Sequence, residues 1–227
     1  MEKKVTEDFF MLALNPKTGY YRVSGNYLSY GLLGAMIMDL ALSEYIELDG
    51  NNIILKKRGV SGVNSFDTMM EMISASSREK SLRLWLRKFS VKVHRFRKDL
   101  QQHFVNNGIL KMERRRFLLI PYSLYRQADP SRLMRLTLRL KEIILYNKAP
   151  EEHELMFLGL IYACRMHRTL ADTSEERRKI RKSLVKYMKD NPYASSVSKT
   201  IMEMQAVITA SISAAVIASS AASSSSR

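Results

Sequence analysis

The sequence predicts a mainly α fold, a single helical domain with two β-hairpins, each set on the end of a helix as in winged-helix-like units. Three observations carry this reading. Apolar residues recur at helical spacing along most of the chain, most plainly at Leu82, Trp85, Leu86, Phe89, Val93, Phe96 and Leu100. A helix followed at once by a hairpin pattern occurs at 31–56 and again at 90–120. A length of 227 residues suits one domain that buries about 70% of its unfolded-chain surface. The helical domain is assigned to 1–218 and a disordered serine-rich tail to 219–227.

Glu7–Leu14 reads as a short amphipathic helix, capped by Thr6, with Glu7 and Asp8 in the first turn where the helix dipole favours acids. Pro16 and Gly19 mark a turn, and Tyr20–Asn26 is read as an extended connector. From Leu32 to Leu42 Asp39 is the single charge, so this helix has no broad solvent face. Gly31 and Gly34 at its head each cost roughly 1 kcal/mol against alanine, which predicts close approach by another backbone or a ligand. Ile46 and Leu48 then alternate with Glu47 and Asp49, Gly50 and Asn51 supply turn chemistry, and Ile53–Leu55 returns as a strand.

Phe66–Ile73 is the next expected helix. The helix after it is the most basic element, with Arg78, Lys80, Arg83, Arg87, Lys88, Lys92, Arg95, Arg97 and Lys98 set against Glu79 and Asp99. Asn106-Asn107-Gly108 ends it. The second hairpin is expected at Ile109–Met112 and Phe117–Ile120, with its turn at Glu113–Arg115. A loop over Pro121–Pro130 should then expose Tyr122, Leu124 and Tyr125. Helices follow at Ser131–Asn147, Glu151–Leu170, Ser174–Asp190 and Ala194–Ala218, with start signals at Ser131, Pro150 and Thr173 or Ser174.

A formal charge of +15 predicts attraction to an acidic partner: nucleic acid, an anionic bilayer or an acidic protein. Cys164 is the sole cysteine, which rules out an internal disulfide and fits a reducing compartment. The run Phe9–Leu14 is too short for a signal peptide. Ala206–Ala222 has the length of a membrane span, but Thr209, Ser211, Ser213, Ser219 and Ser220 keep it too polar. The expected location is cytoplasmic and peripheral to a membrane.

No catalytic constellation emerges. His94, His103, His153 and His167 lack metal-ligand spacing, and one cysteine excludes a zinc ribbon. Cys164 and His167 lie three apart, yet Cys164 falls on the apolar side of its helix, where a buried inert thiol is the ordinary outcome. Gly31–Gly34 lacks the pattern of a phosphate loop. The expectation is a non-enzyme with no cofactor and no metal. Each Lys or Arg near an anionic leaflet contributes about 1 kcal/mol, and DNA phosphates reward the same surface. Tyr122, Leu124 and Tyr125 beside arginines suit a headgroup boundary, whereas the helix at Leu32–Leu42 has almost no polar residue to read base edges. Lipid therefore ranks above nucleic acid.

Four stretches resemble the Golgi phosphoprotein 3 family: GLLGAMIMDLALSEYIEL from Gly31, Lys17-Thr18-Gly19-Tyr20, RKDLQQHFVNNGILKMERRRFLLI from Arg97, and LGLIYACRMHRTLAD from Leu158. The similarity runs over roughly residues 7 to 217, as of a distant member of non-eukaryotic type. It implies a helical domain that binds phosphatidylinositol 4-phosphate in a basic pocket at the membrane surface. An apolar hairpin near the membrane or at an oligomer contact is implied too, and in eukaryotic members an adaptor role retaining Golgi glycosyltransferases. Of the family's pocket positions, the Trp falls on Ser24 and the first Arg on Leu33, while the helix arginines fall on His94 and Arg97. Only Arg97 keeps the family residue. A protonated His94 supplies charge without the bidentate fork of arginine.

The resulting expectation is a peripheral membrane protein for phosphoinositide or other anionic head groups, acting as an adaptor. Arg97, His94 and Lys98 contact phosphate, and the segment bearing Tyr122, Leu124 and Tyr125 touches the membrane. Anionic lipid is the expected partner, protein clients and a homo-oligomer are admitted, and nucleic acid ranks lower. A nucleic-acid-binding winged-helix-like protein and a lipid-independent interaction scaffold are the alternatives.

Overall fold

The computed structural model describes residues 4–23, 25–49, 52–190, 206–215 and 217. Ser24, the Gly50-Asn51 turn and the serine-rich tail lie outside them. The element order is α1 (Lys4–Ala13), α2 (Gly25–Leu42), β1 (Ile46–Asp49), β2 (Asn52–Leu55), α3 (Asn64–Ser74), β3 (Lys80–Ser81), α4 (Leu82–Ser90), α5 (Val93–Asn106), β4 (Leu110–Phe117), β5 (Ile120–Gln127), α6 (Pro130–Tyr146), α7 (Glu152–Ala163), a 3-10 turn at Met166–Thr169, and α8 (Ser174–Asp190). A further helix, α9, covers 206–215. The mainly α fold with two hairpins is what the sequence predicts.

Helix α2 sits at the centre, packed on α1, α4, α5 and α7. Its middle is buried on every side: Leu32, Leu33, Ala35, Met36, Ile37, Met38 and Leu40 are all at most 1% exposed. That is the physical meaning of a helix with apolar residues all round. The one acidic residue of α2 has a specific task. Asp39 accepts the backbone N–H of Val5 at 3.0 Å and of Thr6 at 2.9 Å, closing the N-terminus of α1 from another helix. Thr6 is therefore not the expected cap. It lies inside α1 with its side chain fully buried, and α1 begins at Lys4.

The glycines of α2 are sites of close approach. A Cβ on Gly31 would lie 2.6 Å from Phe9 Cε2 and 2.7 Å from Cys164 Sγ; one on Gly34 would lie 2.6 Å from Ile208 Cδ1 and 3.0 Å from Leu160 Cδ1. The Phe9 ring belongs to a buried side chain of α1, whereas Ile208 presents the end of a flexible one. Gly31→Ala should therefore cost about 1–3 kcal/mol from overpacking, outweighing the helix-propensity gain of roughly 1 kcal/mol. Gly34→Ala should be nearly neutral. Urea denaturation of the two variants side by side checks this ordering.

Several boundaries depart from the sequence reading. The expected long basic helix is two helices, broken at Val91-Lys92. Lys92 leaves helical geometry at φ −102° and ψ 1°, and the Ser90 hydroxyl donates to the Arg87 carbonyl at 2.7 Å. The apolar stripe stays in phase across the joint, so periodicity could not reveal it. The expected helix from Glu151 to Leu170 stops at Ala163, because Arg165 takes a left-handed φ of +55° before the 3-10 turn. Residues Tyr20–Asn26 are only partly extended: Tyr21 bridges Leu14, and α2 starts at Gly25. Asp129, not Ser131, caps α6, accepting the Ser131 N–H at 2.9 Å.

The first hairpin pairs Ile46 with Leu55 through Asp49 with Asn52, and β3 adds a third, two-residue strand on β2. The second hairpin is much longer than expected. Its register runs from Leu110↔Gln127 to Phe117↔Ile120, so the turn is Leu118-Leu119 rather than Glu113–Arg115. Among the described residues, no helix is long and apolar enough to cross a membrane.

Candidate functional site

Three pieces form the candidate site: the outer face of α5, the Lys17–Tyr21 turn and the β4–β5 hairpin. On α5, His94 and Arg97 are one turn apart, and a guanidinium nitrogen of Arg97 lies 3.1 Å from His94 Nδ1. A guanidinium can only donate, so in this contact Nδ1 is the acceptor. Arg97 also lies over the ring of Tyr21, 5.6 Å from its centroid. Burial pushes the Tyr21 hydroxyl up to about 12, and it accepts a hydrogen bond from Gln101 Nε2 at 2.9 Å. Arg97 is thus held by the His94 imidazole and an aromatic face, with no carboxylate in ion-pair contact among the described residues. Lys98 is exposed on the next helical position, and among the described residues no hydrogen bond links its side chain to the Arg97–His94 pair.

The turn links α5 to the hairpin. Gly19, at φ +73°, sits against Leu124 and the Tyr125 carbonyl, leaving no room for a side chain. Arg126 donates to the Lys17 carbonyl. Tyr20 is 61% exposed. The residues expected in a membrane-contact loop are therefore strand residues. Tyr122 and Tyr125 are partly buried and Leu124 is 4% exposed, because β5 continues to Gln127 and docks the turn. Pro121 did not stop the strand, since it pairs with Arg116 next to the turn, at the hairpin's free end.

The exposed apolar surface lies at the opposite end of the same strands. Leu118, Leu119 and Ile120 are 81%, 91% and 67% exposed. Leu118 and Leu119 both take positive φ, 45° and 72°, as the central residues of a two-residue hairpin turn. Asparagine or glycine is usual there, and a leucine pays conformational strain at each. Neither strain nor exposure is explained by packing. Arg114, Arg115 and Arg116 are exposed immediately behind the tip. Glu113 pairs Arg115 and Arg126, each at 2.9 Å, which leaves Arg114 and Arg116 without an acid among the described residues.

Among the expected phosphate ligands, then, His94 and Arg97 are brought together and Lys98 stands apart. Leu33, at the first arginine position of the family pocket, is wholly buried in the core. Ser24, at the Trp position, lies outside the described residues. Cys164 is buried beside Gly31, and burial drives its thiol far above the ordinary range, so it is no nucleophile at neutral pH. The tip Leu118–Ile120 was missed because no turn-type residue marks it; the signal available was an apolar run directly after three arginines.

The family model described as Golgi phosphoprotein 3 (GPP34) matches residues 5–204. That span takes in the central glycine-bearing helix, the Lys17–Tyr21 turn, α5 and both hairpins. The chain belongs to the Golgi phosphoprotein 3 (GPP34) family.

Proposed function

We propose that this protein is a non-enzymatic peripheral membrane protein that docks on anionic, phosphorylated lipid head groups of the phosphatidylinositol 4-phosphate type and serves there as an adaptor. The observation that carries the reading is the strained, exposed Leu118-Leu119-Ile120 tip with arginines directly behind it. Apolar tip residues belong below the headgroup plane and the guanidinium groups at it. The net charge of +15 supplies long-range attraction. Arg97, released from His94, takes a lipid phosphate against the Tyr21 face, with protonated His94 and Lys98 as supporting cations. Tyr122 and Tyr125 support the hairpin rather than entering the bilayer, and Leu124 anchors it to Gly19.

A helix–hairpin protein of this charge also suits nucleic acid, but α2 is buried all round and offers no face to a groove. The test of the membrane reading uses the emission of a single introduced indole. Trp85 is buried and stacked on Phe89, so its emission should not respond to lipid. In Leu119→Trp, phosphatidylcholine vesicles doped with phosphatidylinositol 4-phosphate should shift the emission to the blue, while neutral vesicles should not. Arg97→Ala with Lys98→Ala should weaken the doped-vesicle response several-fold. No shift with either vesicle would exclude tip insertion.

A further inference from the structure

A second cationic site lies away from α5 and the hairpin. A cavity of about 310 Å³ between the end of α7, the 3-10 turn, α8 and α9 is lined by Arg165, His167, Arg168 and Arg181, with Tyr162 and Leu184 among its apolar walls. No carboxylate lines it, and among the described residues none forms an ion pair with any of the three arginines. Three arginines that are exposed to solvent line one space with no acid beside them. Arg165 is fixed by its left-handed backbone, φ +55°, and by the Tyr27 ring 5.7 Å from its guanidinium. That backbone turn is what brings Arg165, His167 and Arg168 of one short segment to the same cavity as Arg181 of α8. The three positive charges also act together on His167: after burial, the arginines are what hold its imidazole below the usual range.

We propose that this cavity binds a phosphate monoester, its oxygens bridged by Arg165, Arg168 and Arg181 and its organic part resting on the Tyr162–Leu184 wall. Guanidinium groups match phosphate oxygens in pairs, which surface lysines do not. The volume takes a phosphate with a small organic group such as glycerol, at the lower end of ligand sites. The site shares no residue with the one around Arg97, so the two stand or fall separately.

Histidine side-chain NMR on the full chain tests it, since His167 reports on the three arginines. Inorganic phosphate or glycerol 3-phosphate should move the His167 signal saturably and raise its pKa, as the bound dianion neutralises the surrounding charge. Sodium chloride at matched ionic strength should do neither. Arg168→Ala with Arg181→Ala, both exposed positions, should weaken the effect at least tenfold, whereas Arg97→Ala should leave it unchanged. If the signal answers glycerol 3-phosphate and not phosphatidylcholine nanodiscs containing phosphatidic acid, the ligand is soluble; the reverse makes it a lipid. A non-saturating shift, an equal shift with chloride, an undiminished shift in the double variant, or silence toward both sources overturns the site.

Discussion

Asp39→Ala should destabilise the protein by about 2–4 kcal/mol, because it strips the cap from α1 and leaves the Val5 and Thr6 N–H groups unpaired in the core. Each unpaired buried N–H costs about 1–3 kcal/mol, and relief of the buried carboxyl offsets part of the sum. For a chain of this size the melting temperature should fall by roughly 5–15 °C. Asp39→Asn should cost less, since its carbonyl still accepts one of the two N–H groups. The same residue makes stability pH-dependent. Burial raises Asp39 from 3.8 to about 7, and Asp8 from 3.8 to about 7, in both cases chiefly by desolvation. Between those values the folded protein holds protons that the unfolded chain has released. The stabilisation is therefore complete below the unfolded value and is lost as pH rises through about 7. Urea midpoints should be higher at pH 5 than at pH 8, and Asp39→Asn should flatten the profile while Asp8 keeps part of the slope.

Leu118→Ser with Leu119→Ser should abolish membrane binding almost completely while leaving the fold intact. Fully burying one leucine is worth about 1.5–3 kcal/mol, so removing two at the tip forfeits roughly 3–6 kcal/mol, or about two to four decades in partitioning. An arginine at the headgroup plane contributes only about 1 kcal/mol. On the proposed membrane reading, apolar insertion sets the affinity and charge selects the membrane. Stability should hold or rise, since the replaced side chains are 81% and 91% exposed and no packing is lost.

The sequence carried the architecture well because burial leaves a long-range imprint. A run with Asp39 as its only charge can only be a core helix, and Gly31 and Gly34 announce contact with α1 and α9. What it concealed were events with no periodic signature. The α4–α5 joint keeps its apolar phase, and the break before the 3-10 turn rests on one arginine in left-handed geometry. The hairpin turn at Leu118-Leu119 was hidden because its residues are the wrong ones for a turn. That mismatch between local preference and observed conformation is the ground on which a membrane role is proposed for it. The proposed phosphate site was legible only in part: Arg97 and His94 meet, but the placement of Arg97 over the Tyr21 ring depends on a turn that packs across more than seventy residues of sequence.

Flotation of the full chain with vesicles at physiological salt tests the membrane reading most directly. The protein should rise with phosphatidylcholine vesicles containing phosphatidylinositol 4-phosphate and stay behind with phosphatidylcholine alone, and Leu118→Ser with Leu119→Ser should leave it at the bottom in both. Equal flotation of the wild type and this double variant on the doped vesicles, or no flotation of the wild type on them, would contradict insertion of the hairpin tip.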